Sequence, residues 1–422
     1  MIRFYNGKLL TMEHGLQITE DELWTDGSRI AYIGPAKDEH PVFEREIDLK
    51  GNLLMPGFKD AHTHSAMTFL RSYADDLPLQ SWLFDKVFPR EARLKPEHVY
   101  TMTKLAILEY LTSGITASFD MYFELDAYVQ ANLEAGFRTV LCGAMSDGAK
   151  PMELQEEYFK KYNAVDPLIS FRLGFHAEYT TGLERLNYLA GLAHQYKQPV
   201  FTHNSETAAE VAGCIERHGV TPTVLFDRLG LYDYGGGGFH CVYMSEEDLA
   251  IMQRRGLWAV TNPASNAKLA SGIAPISRMM ELGVPLAIGT DGPASNNALD
   301  MFREMYLTCI LQKLAQNDAA ACDAGEVLKM ATVGGARAMG LTDCDVLAVG
   351  KQADVIVIDL MRPNMQPIHN IQKNLVYSGS KENVKLTMVA GKILYENGEF
   401  FIGEEPGKIY ETAAGMIKEL TE

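Results

Sequence analysis

Positive charge is scarce in this chain: 38 Lys and Arg stand against 55 Asp and Glu in 422 residues, a formal net charge of -17. Binding to nucleic acid calls for a basic face, and an anionic membrane surface attracts polybasic segments. Both partners are therefore disfavoured, and the charge mainly favours solubility. Long apolar runs are missing as well. None approaches the length of about 20 residues that spans a bilayer, and the opening "MIRFYNGKLLTMEHG" runs into charge without the apolar stretch of a secretory signal. The six cysteines (Cys142, Cys214, Cys241, Cys309, Cys322 and Cys344) are scattered, with no CxxC. That pattern predicts reduced, mostly buried thiols in a cytoplasmic protein, and not zinc ligands. Low-complexity segments and short repeats are absent too.

What is present is an ordinary globular composition, 47% hydrophobic and 22% charged, on a chain long enough for more than one structural unit. The ends differ from the middle. Residues 1–56 read as short strands and turns, with hairpin signals at Asn6-Gly7 and Asp26-Gly27, and residues 347–403 read alike, from "ADVIVIDL" to "VKLTMVAGKILYENGEF". Neither end has enough strands for a stable sheet alone, so one small composite β-sandwich built from both termini is expected. Residues 404–422 read as an amphipathic helix.

Residues 57–346 repeat another pattern, a short β-rich run followed by a segment of helical spacing such as "PEHVYTMTKLAILEYLTS". Eight such runs occur: "LLMPGFKDAHTH", "GITASFDMYF", "FRTVLCGAMSD", "ISFRLGFHAEYT", "QPVFTHNSE", "GGFHCVYM", "LWAVTNPAS" and "PLAIGTDGP". Strand and helix alternating eight times is the pattern of an α/β fold, a (β/α)8 barrel, whose active site lies at the C-terminal ends of the strands.

Polar residues gather at those ends. Five of the 11 histidines do so: His62 and His64 at run one, His176 at run four, His203 at run five and His240 at run six; Glu206 follows His203, and Asp291 ends run eight. Residues i and i+2 of a strand share a face, so His62 and His64 can present two imidazoles to one barrel mouth. His203 and Asp291 would complete a His3Asp set suited to a catalytic Zn²⁺, or Fe²⁺. Such a metal lowers the pKa of its water towards neutrality. Glu206 is placed to shuttle protons, and His240 to hold and polarise that water. Taken singly, each feature has a plainer explanation. His176 or His240 alone reads as a hydrogen-bonded core or surface histidine, "GTDG" as a strand-to-turn junction, and His203 with Glu206 as a helix N-terminal pair. It is their occurrence together, in strand order, that points to a metal centre.

The stretches "MPGFKDAHTH", "THNSE", "FHCVYM", "NPASNAKLASGIAP" and "IGTDGPASNN" resemble the amidohydrolase superfamily. More narrowly, they are similar to its adenosine-type deaminase branch acting on S-adenosylhomocysteine and methylthioadenosine, with triazine hydrolases as relatives. The resemblance runs from about residue 1 to 400. It implies a (β/α)8 barrel with a composite β-sandwich, and one divalent metal on His62, His64, His203 and Asp291. It implies that Glu206 protonates the purine ring nitrogen and that His240 and Asp291 orient and deprotonate the attacking water. It further implies that His176 contacts the ring, that Trp82 lies against the nucleoside and that Glu91 binds ribose hydroxyls. No lysine stands where binuclear branches carry a carboxylated one, which favours a single metal. "RSYADDLPLQSWLF" resembles a substrate-covering loop. Relatives that accept S-adenosylhomocysteine are expected to carry arginines after the third strand; this chain has "VLCGAMSDGAKPMELQEEYF" there, with Lys150 its only cation. A buried carboxylate without a partner would be costly. Glu178, beside His176, further disfavours an anionic substrate and is expected to meet a hydroxyl or an amino group instead.

The function so implied is hydrolytic deamination of a 6-aminopurine nucleoside: adenosine, 5'-deoxyadenosine or methylthioadenosine, with S-adenosylhomocysteine less favoured. Another aminated or halogenated heterocycle, of guanine, cytosine or triazine type, is the alternative substrate. A metal-binding scaffold without catalysis is disfavoured by the complete ligand set. The cytidine-deaminase fold is excluded, because its combined HxE and PCxxC signature is absent: no PCxxC occurs. Related proteins pair through loops near the site, so a homo-oligomer, dimer or tetramer, is expected.

Overall fold

The computed structural model describes residues 1–77, 81–148 and 150–421. The middle of the expected covering loop, residues 78–80, lies outside the described residues, as does 149. Eight parallel strands form one sheet in sequence order: Phe58–Thr63, Ile115–Asp120, Arg138–Cys142, Ile169–Gly174, Val200–Asn204, Gly236–His240, Trp258–Thr261 and Leu286–Ile288. The eighth meets the first through the turn that follows it, where Thr290 N donates to Asp60 Oδ1 at 2.8 Å and Asp291 N to the His62 carbonyl at 2.9 Å. The result is the (β/α)8 barrel that the eight runs predict. Its interior is filled by Ala61, Phe119, Val140, Phe201, Phe239, Val260 and Ala287, so it is a packed core and not a pore.

The sixth strand shows why its glycines are there. A Cβ on Gly236 would lie 1.9 Å from Val200 O, and one on Gly237 2.4 Å from Trp258 O. The strand threads between its neighbours with no room for side chains until Phe239 and His240. Helices between the strands start and stop on ordinary signals. Ser245 and Asp248 form a capping box at Glu246–Arg255, and Gly256 ends that helix with φ +63°.

The terminal segments build two further sheets. The four-stranded one runs Arg29–Gly34, Glu22–Asp26, Ile2–Tyr5, Arg45–Asp48; the seven-stranded one joins the two ends of the chain where Leu53–Pro56 pairs antiparallel with Val355–Ile358. Phe4, Leu23 and Ile30 from the first sheet share a buried cluster with Leu54, Val355, Val357, Leu386 and Met388 from the second, the expected composite sandwich. Asp26-Gly27 does turn a hairpin, with Asp26 opposite Arg29. Asn6-Gly7 does not: Ile2–Tyr5 and Lys8–Leu10 belong to different sheets. The chain crosses between layers there because Gly7 passes against Leu49 and Asn52, where a Cβ would meet Leu49 Cβ at 2.5 Å. The C-terminal segment also carries a short helix, Ile371–Tyr377, among its strands, and ends in the helix Pro406–Thr421. A buried bidentate pair, Arg138 with Asp354 at 2.8 and 3.0 Å, ties the third barrel strand to the sandwich.

Candidate active site

Four side chains converge at the C-terminal mouth of the barrel. His62 lies within the first strand and His64 just past it, His203 within the fifth, and Asp291 three residues beyond the eighth. The ligand-type atoms of His62, His64 and Asp291 all lie within 4.8 Å of one another, and so do those of His62, His203 and His240. Phe239 stacks on His62, ring centroids 3.9 Å apart, and sets the plane of that imidazole.

Hydrogen bonds fix how the imidazoles point. His64 Nδ1 donates to the Met121 carbonyl and His203 Nδ1 to the His176 carbonyl, both at 2.7 Å. Each Nε2 is then an unprotonated lone pair, and the two face each other at 3.3 Å. Asp291 Oδ1 lies 3.3 Å from His64 Nε2 and 3.6 Å from His62 Nε2. Neither ring nitrogen of the fully buried His62 has a hydrogen-bond partner among the described residues. Lone pairs so placed repel unless a cation lies between them. Ligands of a tetrahedral ion with bonds of about 2.0–2.1 Å sit roughly 3.3–3.4 Å apart, which matches this spacing. The protonation states agree: burial pulls His62 down to about 3 and His203 well below its usual value, so both are neutral. Burial opposes ionisation of Asp291, but the adjacent His62 imidazole and the surrounding histidines hold it well below the carboxylate range. Three imidazoles and one carboxylate fit a divalent metal.

Asp291 is aimed by its other oxygen: Oδ2 accepts from Ser265 Oγ at 2.6 Å and Ser295 Oγ at 2.8 Å, leaving Oδ1 for the imidazoles. His240 Nδ1 donates to Asn266 Oδ1 at 2.8 Å, which turns Nε2 towards Glu206 Oε2, 3.8 Å away. Burial opposes protonation of His240, but the charges of Glu206 and Asp291 outweigh it and raise the group. Burial raises Glu206, and Ser271 Oγ donates to its Oε1 at 3.3 Å. Glu206 itself is aimed from behind, its N–H donating to Glu210 Oε2 at 2.8 Å. Ser205, His240, Cys241 and Asp291 all adopt positive φ, between 50° and 70°. Such strain costs about 1–3 kcal/mol per residue and persists only where surrounding contacts over-determine it.

Above these groups opens a cavity of about 490 Å³. His64, His203, Glu206, His240 and Asp291 line its floor, and Trp82, Leu83, Phe84, Phe88, Met121 and Phe123 form an apolar wall. His176, its Nδ1 bonded to Thr180 Oγ1 at 2.8 Å, and Glu91 face the same space. Burial pulls His176 down to about 4 and pushes Glu91 up to about 7. Glu91 Oε1 and the Tyr122 hydroxyl are buried without a hydrogen-bond partner among the described residues.

Nine of the ten residues singled out in the sequence are thus gathered at this mouth. Glu178 is not. Its buried carboxylate is turned into an ion pair with Arg217, Nε at 3.1 Å, and lies 3.2 Å from His218 Nε2, and it does not line the cavity. The tight 3₁₀ turn at Glu178–Thr180 rotates it away from the face that His176 uses. Lys150 is likewise diverted, paired with Glu124 at 2.9 Å. Asn266, Ser265, Ser271, Ser295 and Tyr122 carried no role in the sequence reading. "NPASNAKLASG" and "GPASN" held the first four, but which hydroxyl or amide meets which carboxylate depends on loops that meet only in three dimensions.

Residues 53–394 match the model of the amidohydrolase family. The 5-methylthioadenosine/S-adenosylhomocysteine deaminase of Thermococcus onnurineus is 38% identical over 403 residues, 94% of each chain. That of Moorella thermoacetica is 40% identical, over 88% of this chain and 89% of its own. An adenosine deaminase from Xanthomonas campestris with bound zinc superposes with a TM-score of 0.94 at 34% identity, covering 99% of this chain and 98% of its own. An atrazine chlorohydrolase from Arthrobacter aurescens, TM-score 0.91 at 21% identity over 99% of this chain and all of its own, shares the fold. Barrel, metal-fitting cluster and sequence likeness over most of its length agree, and the chain belongs to the amidohydrolase family.

Proposed function

We propose that this protein is a metal-dependent hydrolytic deaminase of 6-aminopurine nucleosides with a neutral 5' substituent, methylthioadenosine, 5'-deoxyadenosine or adenosine, using one Zn²⁺ held by His62, His64, His203 and Asp291. The observation that carries the reading is Glu206: a buried carboxyl on the cavity floor, 3.8 Å from His240 Nε2 and beside the ligand cluster. An acid and a base are then on hand at one reacting carbon. The names of the relatives at 38–40% identity support the substrate class, and the zinc of the adenosine deaminase supports the metal over Fe²⁺.

A bound divalent ion supplies Lewis acidity that lowers the pKa of a water in the site. The chain's own groups do the remainder. His240, anchored through Nδ1, offers Nε2 to orient that water and receive its proton, and Asp291 assists. Glu206 delivers a proton to the ring nitrogen beside the carbon under attack. Water enters and ammonia leaves. His176 is suited to contact the ring and Trp82 to lie against the nucleoside. The unpartnered Glu91 Oε1 and Tyr122 hydroxyl offer hydrogen bonds that ribose hydroxyls would satisfy.

The charge of the wall supports a neutral 5' group. Among the described residues no Lys or Arg lines the cavity, whereas Glu91 and Asp147 do. Asp147 is held by Arg185 Nε at 3.3 Å and Gly182 N at 3.0 Å. A substrate carboxylate there would lose its hydration without gaining a partner.

The test is to incubate metal-replete protein with adenosine, 5'-deoxyadenosine, methylthioadenosine and S-adenosylhomocysteine, following ammonia and ultraviolet absorbance. Turnover of the first three above the last is expected. No turnover of any would sink the reading.

A further inference from the structure

We propose that Glu304 is a positioning residue that orients the Asp291 carboxylate and the His240 imidazole together, by holding the loop after the eighth barrel strand against the short helix after the seventh. Glu304 sits near the start of the helix Met301–Gln316, fully buried, and does not line the cavity. Its two oxygens serve two different segments: Oε1 accepts from Asn296 Nδ2 at 2.8 Å and Oε2 from Ala264 N at 3.0 Å.

Each segment ends on the reacting groups. Ala264 lies in the helix Pro263–Lys268, whose next two residues are Ser265, bonded to Asp291 Oδ2, and Asn266, bonded to His240 Nδ1. Asn296 follows Ser295, the second hydroxyl on Asp291 Oδ2, and also donates to the Thr290 carbonyl at 2.7 Å. From the opposite side Asp60 holds Thr290 N at 2.8 Å and Thr290 Oγ1 at 2.6 Å. The strained Asp291 backbone, φ +59°, is therefore clamped on both flanks.

The chemistry explains why a carboxyl group, which offers two oxygens, stands here. Both partners are donors, so the side chain must offer two acceptor oxygens. Glutamine offers one, and an apolar side chain none. A buried ionisable group lowers stability relative to an apolar filler of the same volume; what it supplies in return is a fixed register between two loops. If that register slips, Ser265 and Ser295 no longer converge on Asp291, and the anchor of His240 moves with them.

Loading Glu304→Gln and Asn296→Ala with Co²⁺, whose visible absorption reports ligand geometry, tests this. Expected are about one metal per chain, a Co²⁺ band shifted in position or intensity, and kcat on methylthioadenosine down roughly tenfold with KM within about threefold. Combined with Ser265→Ala, Glu304→Gln should lose less than the product of the single losses, because both act through Asp291. Asn296→Ala, which cuts one arm, should move the band in the same direction by less, and it carries the test if Glu304→Gln does not fold. An unchanged band and kcat in a folded, metal-loaded variant overturn the proposal. The kinetic arm rests on the deaminase reading. The optical arm needs no substrate, so if wild-type protein turns over no nucleoside, that reading fails while the band still decides the role of Glu304.

Discussion

Asn266→Ala isolates the one hydrogen bond that sets the direction of His240. Both side chains are about 1% exposed, and Asn266 Oδ1 is the sole acceptor for His240 Nδ1 among the described residues, at 2.8 Å. Its loss leaves a buried N–H unpaired, a penalty of about 1–3 kcal/mol, and removes the bond that keeps the proton on Nδ1 and the lone pair on Nε2. If the whole penalty falls on the transition state, kcat drops by roughly 5- to 150-fold, at about 1.36 kcal/mol per decade. Among the described residues the Asn266 side chain hydrogen-bonds none of the four metal-fitting residues, so bound metal should stay near wild type, and KM should change by less than about threefold. Steady-state absorbance assays on methylthioadenosine, metal analysis and Tm on the same samples separate these effects. Asn266→Asp keeps the acceptor and should retain more activity than the alanine variant. A metal-loaded, folded Asn266→Ala with kcat within about twofold of wild type would refute a role for this bond in aiming His240.

Glu178→Ala should lower Tm, by the equivalent of about 1–3 kcal/mol, and leave KM for nucleosides unchanged, because the carboxylate serves Arg217 and His218 and not the cavity. Asp147→Arg should improve kcat/KM for S-adenosylhomocysteine relative to methylthioadenosine by roughly tenfold or more, one charge-assisted hydrogen bond adding about 1.5–3 kcal/mol; no change in the ratio would place the 5' end elsewhere. Glu210 is pushed up from 4.5 to about 7 by burial and by Glu206. The folded state then holds this proton more tightly than the unfolded chain, so its contribution to stability is lost as pH rises through that window. Tm should fall between pH 5 and 7.5 more steeply in wild type than in Glu210→Gln, the difference amounting to about 3 kcal/mol at most; parallel curves would remove Glu210 from the account.

The fold was legible because its signals are local. Eight β-rich runs alternating with helical spacing suffice for a barrel, and a strand end is a place where His or Asp is noticeable. The two-residue spacing of His62 and His64 already implies a shared face. Glu178 shows the limit: it stands two residues from His176, but the tight turn that begins at Glu178 sends the two side chains to different surroundings. Asn6-Gly7 shows the same limit in the sandwich, where a hairpin signal marks a crossing between sheets because the strands on either side find better partners far along the chain.

By itself, then, the sequence determined the barrel, most of the groups singled out at its mouth and the chain's overall scarcity of positive charge, all properties of residue type and short-range spacing. Only the tertiary structure decided which groups act as a unit. The opposed lone pairs of His64 and His203, the Ser265 hydroxyl on Asp291 and the bond from Ala264 to Glu304 join residues tens to hundreds of positions apart. Hydrogen-bond geometry at the scale of tenths of an ångström is set by how loops pack, and no local pattern in the chain encodes that.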